Sequence, residues 1–247
     1  MKAFHVVQKP LKTEKNKEDR LWFCDYLQDY DSEDFLHLAP SDEFFIYTQR
    51  KPNHQNDWVW ASAIDAIPPE EKFQEVVKYP KCIGLFVAFT CKRMFWVLKQ
   101  QGERWSGQYF REKIIPKLHN FLKNKNNVIS SSDVILLHDK APGWTANATQ
   151  EMLRTSSVDF FSKSEYPGNS PDLNAAEHIG AIIKSRVELL MLKENETNKW
   201  CEKVLMKNLN IVLKSMEFEH ELFESLLLSY PNRLYEIRKS NGGHTSY

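Results

Sequence analysis

Val134 to Leu137 form a four-residue apolar run, closed by His138-Asp139 and broken by Lys140-Ala141-Pro142-Gly143. A run of that kind admits few folds. β-Favouring residues with no polar alternation suit a strand covered on both faces, as in sheets that carry helices above and below. Open α/β sheets place ligands at the carboxyl ends of their strands, which is where Asp139 stands. A turn-opening aspartate fits the same position.

The rest of the chain supplies the partners of that strand. A helix is predicted from about Glu14 to Gln28, then strands at Phe44 to Thr48 and Trp58 to Ala61. Ile83 to Thr90 and Met94 to Lys99 read as two strands turning at Cys91-Lys92-Arg93. The stretch from Arg50 to Lys81 holds Pro52, Pro68, Pro69 and Pro80 and should be partly irregular. A helix from Ser106 to Asn124 presents Tyr109, Phe110, Ile114, Leu118 and Leu122 on one face, with Pro116 kinking or dividing it. Helix Ala146 to Thr155 and strand Val158 to Ser162 follow. The helix from Ala175 to Leu192 buries Ala176, Ile179, Ile183, Val187 and Leu190 at helical spacing. Glu177, Ala181, Lys184 and Glu188 share an adjacent flank. Two more helices, about Lys199 to Lys214 and Glu219 to Ser229, end the series. Strands first, then strand alternating with helix, makes the chain mixed α/β.

At 247 residues, 42% hydrophobic and 27% charged, the chain can bury a sizeable core as one large unit or as a unit with a helical annex. Its 33 basic residues balance its 33 acidic ones, so bulk charge does not announce a nucleic-acid binder. Charge is nonetheless unevenly placed. Asp25 to Glu43 holds seven acids and no Lys or Arg, whereas Thr90 to Lys125 holds nine Lys or Arg, including Lys92, Arg93, Lys99, Arg104, Arg111 and Lys113, against Glu103 and Glu112. Such a stretch suits a phosphate backbone or a solvated helix face. Cys24, Cys82, Cys91 and Cys201 include no close pair and no His at zinc spacing, and read as buried free thiols. No apolar stretch reaches membrane-spanning length, and no apolar core follows Met1-Lys2-Ala3-Phe4 as a signal peptide would require.

Three acids look built to hold catalytic metal: Asp42 ahead of Phe-Phe-Ile-Tyr, Asp139, and Glu177 in Ser-Pro-Asp-Leu-Asn-Ala-Ala-Glu. Hard divalent cations prefer carboxylate oxygen, and phosphoryl chemistry on nucleic acid uses two such ions about 4 Å apart. Each acid also has a plainer reading. Asp42 can be solvated surface before a strand. Asn174 and Glu177 have the spacing of a capping box, with Asn174 capping the helix and Glu177 reaching back.

Around these acids lie three blocks. Asp-Lys-Ala-Pro-Gly-Trp-Thr-Ala (139 to 146) resembles the Asp-Asn-Ala-Pro-x-His-Thr block of the mariner superfamily of cut-and-paste DNA transposases. Asn-Ser-Pro-Asp-Leu-Asn-Ala-Ala-Glu (169 to 177) resembles that family's Ser-Pro-Asp-Leu-Asn-Pro-(Ile/Leu)-(Glu/Asp) block. Ser41-Asp42-Glu43 and Asn53-His54-Gln55-Asn56-Asp57-Trp58-Val59-Trp60 resemble its first block. The blocks come in the family's order, with 37 residues between Asp139 and Glu177. The resemblance covers almost the whole chain. Pro10-Leu11 to Arg20-Leu21-Trp22 is similar to the family's linker, and Gly242 to Tyr247 to its C-terminus. The N-terminal helix-turn-helix modules have no counterpart.

The resemblance implies a ribonuclease H-like mixed sheet flanked by helices, with a helical C-terminal extension. It divides the chain into a linker-like segment (1–30), a catalytic core (31–195) with a clamp-like loop at about 50–81, and the extension (196–247). It implies a DNA transposase catalytic domain that cleaves DNA and transfers the strand. Asp42 would bridge two Mg²⁺ or Mn²⁺ ions, with Asp139 and Glu177 completing one site each. Activated water would cut the transposon end, and the freed 3′-hydroxyl would attack target DNA at a TA step. Asn174 would support Glu177 from behind. Lys92, Arg93, Lys99, Arg104, Arg111, Lys113 and Lys184 would touch DNA, a homodimer would be the working form, and the nucleus its location. Trp144, Ala175, His138 and Lys140 depart from the family's residues. Trp144 either fills a core pocket or crowds the metals. The other class of function is a catalytically decayed or domesticated transposase-derived module that binds nucleic acid or dimerises. A metal-dependent ribonuclease on the same fold has no support from the flanking blocks.

Overall fold

The computed structural model describes residues 9–49, 59–73, 77–99, 102–195 and 198–247. Its strands are β1 (Leu38–Tyr47), β2 (Cys82–Phe89), β3 (Met94–Lys99), β4 (Ile135–Leu137) and β5 (Asp159–Phe160). They form one sheet in the order β3-β2-β1-β4-β5. β1, β2 and β3 are antiparallel neighbours, while β4 lies parallel to β1 and β5 parallel to β4. The longer helices are α1 (Glu14–Tyr26), α2 (Ser32–Leu36), α3 (residues 107–122), α4 (Asn147–Thr155), α5 (Ala176–Met191), α6 (Glu202–Met216), α7 (His220–Leu227) and α8 (Tyr230–Lys239). This mixed sheet with helices on both faces and at the C-terminal end is the expected ribonuclease H-like class.

β1 begins six residues earlier than the expected Phe44, and Pro40 is the reason it was hidden. A proline reads as a strand breaker because it donates no ladder hydrogen bond. Here it sits at a junction: the parallel ladder with β4 ends at Pro40↔Leu137, and the antiparallel ladder with β2 begins at Ser41↔Ala88. Beyond Leu137, β4 has left the sheet while β1 runs on. That leaves an open notch beside Ser41, Asp42 and Glu43, and the Ser41 hydroxyl closes its floor by donating to the Leu137 carbonyl at 3.0 Å.

The two faces of the sheet carry two cores. Leu38, Phe44 and Ile46 pack with Ile179, Ile183 and Val187 of α5 and with the C-terminal helices. Ala39, Phe86 and Ala88 pack with Phe110, Ile114 and Leu118 of α3 and with Trp144. Pro116 lacks an amide hydrogen and crowds the preceding turn, and α3 accommodates it through a π turn at Phe110–Ile114. The division expected at Pro116 is therefore a change of helical register. Gly180 sets how near α5 lies to β1, because a Cβ there would sit 2.3 Å from Cε1 of Phe44.

Other expectations need correction. Residues 59–61 form no strand, and Trp58 lies outside the described residues, as do Asn53 to Asp57. β5 is only two residues long, because its pairing with β4 spans just Ile135↔Asp159 and Leu136↔Phe160. α8 was not foreseen; Pro231 occupies the first turn of this helix, where its missing N–H has no intrahelical partner to lose. All four cysteines are free, but Cys82 is exposed and Cys201 half-buried. Among the described residues no helix is long and apolar enough to cross a membrane.

Candidate metal centre

Successive side chains on a strand point to opposite faces, so Asp42 and Glu43 should not share a site. They do so because β4 ends at Leu137 and the Asp139 carboxylate fills the notch between them. Carboxylate oxygens of Asp42, Glu43 and Asp139 all lie within 4.8 Å of one another. Asp42 faces α5: its Oδ2 accepts from the Asn174 amide at 3.3 Å, and its Oδ1 from the Glu43 N–H at 2.7 Å. Glu43 faces the other core, where its Oε1 accepts from the Trp144 indole N–H at 2.9 Å. One Asp139 oxygen accepts from the Ala141 N–H at 2.9 Å. The turn-opening role is thus real, and it fixes the carboxylate at the mouth of the notch.

A cavity of about 360 Å³ opens here, lined by Asp42, Asp139, Lys140, Tyr166, Asn174 and Glu177 among others. Glu177 stands in the first turn of α5 with an exposed side chain, outside the tight set but on the same wall. The capping box did not form. The helix-start residue Ala175 offers no side-chain cap, and the Asn174 side-chain oxygen Oδ1 instead accepts from the Ala176 N–H at 3.1 Å. The Asn174 amide donates to the Ser41 carbonyl and to Asp42, so the acid it supports is Asp42 where Glu177 was expected. Asn174 points at β1 because the 3₁₀ turn Pro171–Leu173 delivers it there.

Charge in the notch is uncompensated. Burial, then the Glu177 and Glu43 charges, push the Asp42 carboxyl up to about 9. Burial and the Asp139 charge push Glu43 up to about 8, against the Trp144 hydrogen bond. Burial raises Asp139 as well. Clustered carboxylates that resist ionisation suit a hard cation, whose charge repays both desolvation and repulsion. The donor set fits Mg²⁺ or Mn²⁺.

Trp144 is wholly buried, with ring centroids 4.6 Å from Phe110 and 4.8 Å from His138. It fills the core behind Glu43 and is not among the residues lining the cavity. Burial lowers the stacked His138 ring to about 4, so it is neutral. The proposed DNA-contact residues are scattered. Arg93 pairs with Glu217, Lys99 donates to the Glu103 carbonyl at 2.6 Å, and Arg111 donates to Thr149 at 3.1 Å. Lys92 and Arg93 turn between β2 and β3, at the end of the sheet where β1 begins. Lys184 of α5 lies 5.0 Å over the Phe44 ring. Arg104 and Lys113 are outside the cavity lining. Sequence reasoning read Glu43 only within Ser41-Asp42-Glu43 and not as a site residue; nothing local marks it, because its place in the notch depends on where β4 ends.

The whole chain superposes on a Mos1 transposase paired-end complex with the left transposon end, with a TM-score of 0.74 at 21% identity, covering 100% of this chain and 68% of that one. A pre-cleavage Mos1 transpososome matches with a TM-score of 0.75 at 19% identity, again over 100% of this chain and 68% of that one. The isolated catalytic domain of Mos1 mariner transposase matches over 97% of this chain and 100% of its own length, with a TM-score of 0.68 at 18% identity. The fold is that of the Mos1 mariner transposase catalytic domain. Mos1 complexes have been solved with Mn and with Mg. No protein-family model matches the sequence, nor does any curated protein.

Proposed function

We propose that this chain is a transposase catalytic domain of the mariner kind that cleaves DNA and transfers the cut strand, using Mg²⁺ or Mn²⁺ held by Asp42, Asp139 and Glu177. The observation that carries this is the meeting of these acids at one cavity where β4 leaves β1, on the Mos1 fold. Two such ions would supply an activated water and stabilise the leaving oxygen. The chain's own groups do the positioning. Asn174 orients Asp42, the Ala141 N–H orients Asp139, and the first turn of α5 presents Glu177. Glu43, fixed by Trp144, sets a further carboxyl group beside Asp139. Cleavage and strand transfer are both in-line displacements at phosphorus, so one centre serves both.

In this reading the partners are transposon ends and TA target DNA, the working form is a homodimer and the location is the nucleus. Residues 1–30 are the linker, 31–195 the catalytic core with its clamp-like loop at about 50–81, and 196–247 the extension. Fusion to a DNA-binding module supplies substrate capture and isolates the chemistry. Such a fusion should nick duplex DNA in Mn²⁺, and Asp42→Ala, Asp139→Ala and Glu177→Ala should each abolish nicking. Cleavage that survives all three substitutions, or an inert fusion that binds its DNA, would overturn the proposal in favour of a non-catalytic module.

A further inference from the structure

The cavity wall carries one side-chain cation among its described residues, Lys140, next in sequence to Asp139. Most cations near the site are occupied. Arg20 is paired with Asp172, and Lys12 donates to the Asn169 carbonyl at 2.6 Å. Lys140 has no hydrogen-bond or ion-pair partner among the described residues.

The local backbone explains why a lysine beside an aspartate does not pair with it. The Asp139 side chain is tied into its own turn through Ala141. The Lys140 stem runs instead along Gly168, where an added Cβ would lie 3.4 Å from the lysine Cδ. Gly168 has no side chain to block that path, and the stem follows the loop carrying Tyr166 and Asn169, which also line the cavity. Lys140 is therefore half-buried, without a partner among the described residues, and lines a cavity whose other charged residues are acids.

We propose that Lys140 holds a DNA phosphate next to the one being cut. This rests on reading the cavity as a DNA-cleaving centre. The acids attract divalent cations and repel the rest of the DNA backbone, and an ammonium beside them offsets that repulsion for one neighbouring phosphate. Lysine suits the task because it binds as a point charge with three rotatable donors and requires no fixed fork geometry. Of the Lys and Arg residues between Thr90 and Lys125 none lines the cavity, whereas Lys140 does.

The test is binding of a short pre-nicked DNA duplex in Mn²⁺ over a series of salt concentrations, with Mn²⁺-induced thermal stabilisation measured on the same proteins. Lys140→Gln should weaken binding roughly fivefold to tenfold and lower the slope of log affinity against log salt by about 1. Lys140→Arg should restore most of both, and Mn²⁺ should stabilise all three proteins equally. Unchanged affinity and slope in Lys140→Gln, or a wild type that does not bind the duplex at low salt, would overturn the role of Lys140. Loss of the Mn²⁺ response in Lys140→Gln would overturn it too, by making the lysine part of the metal site. Absence of that response in the wild type would instead remove the metal centre itself.

Discussion

Asp42 and Asp172 are both buried aspartates near the same 3₁₀ turn, and their surroundings could hardly differ more. Asp172 accepts both terminal nitrogens of Arg20 at 2.6 Å and the Thr245 hydroxyl at 2.9 Å. Arg20 is 0% exposed and also donates to the Gly242 and Gly243 carbonyls, while Arg233 donates to the Asp172 carbonyl at 2.7 Å. Burial alone would push the Asp172 carboxyl up, yet the Arg20 guanidinium holds it below its ordinary range. Asp42 has an amide, a backbone N–H and three acids for company, and rises to about 9. A buried charge that builds the fold comes with its partner supplied. One left among like charges marks a place kept for a cation from outside.

Removing the supplied partner should have the largest effect. Arg20→Met leaves Asp172 charged and largely unpaired in the core, and should cost about 3 to 5 kcal/mol in chemical denaturation. A cost below about 1 kcal/mol would mean that the pair does not hold α1, the site turn and residues 242–247 together. Next comes the spacing of β1 and α5. Gly180→Ala forces a methyl into Phe44 and should destabilise by about 1 to 3 kcal/mol. It should also weaken Mn²⁺ stabilisation, because α5 carries Glu177. A neutral substitution would separate the cavity from that contact.

The smallest effect has the opposite sign. Asp172, with its folded pKa depressed, contributes stability that is present above the unfolded value and lost as pH falls through the folded one. Asp42 and Glu43 are raised, to about 9 and about 8, so the metal-free fold binds protons that the unfolded chain releases above about pH 4. Their contribution to stability therefore falls as pH rises through that window. Asp42→Asn should stabilise the metal-free protein at pH 8 by about 1 to 2 kcal/mol and flatten its pH dependence. Destabilisation there would place Asp42 with Asp172 as a structural acid.

These two acids also mark how far the sequence could be read. The apolar run ending at Asp139, the Met94–Lys99 strand and the buried stripe of α5 follow from periodicity, because burial on a strand or helix repeats at a fixed interval. The Arg20–Asp172 pair was invisible because it joins residues 152 positions apart with no local signature. Glu43 drew no reading as a site residue, because it stood ahead of the strand expected at Phe44 and only the end of β4 beside it brings it to the notch. Asn174 was assigned to Glu177 by its nearness in sequence, but after the 3₁₀ turn its amide donates to β1. Trp144 was left between core and cavity by its size alone, and its place was decided by Phe86, Phe110 and His138, which only the folded chain brings together.

The central claim is that the acids at the notch form a divalent-cation site, and thermal unfolding of wild type and Asp139→Asn with and without Mn²⁺ tests it most directly. At Mn²⁺ a hundredfold above its dissociation constant the wild type should gain about 2.7 kcal/mol. Asp139→Asn, which keeps the shape of the turn and removes a ligand charge, should lose most of that gain. No stabilisation of the wild type, or the same stabilisation in both proteins, would contradict it.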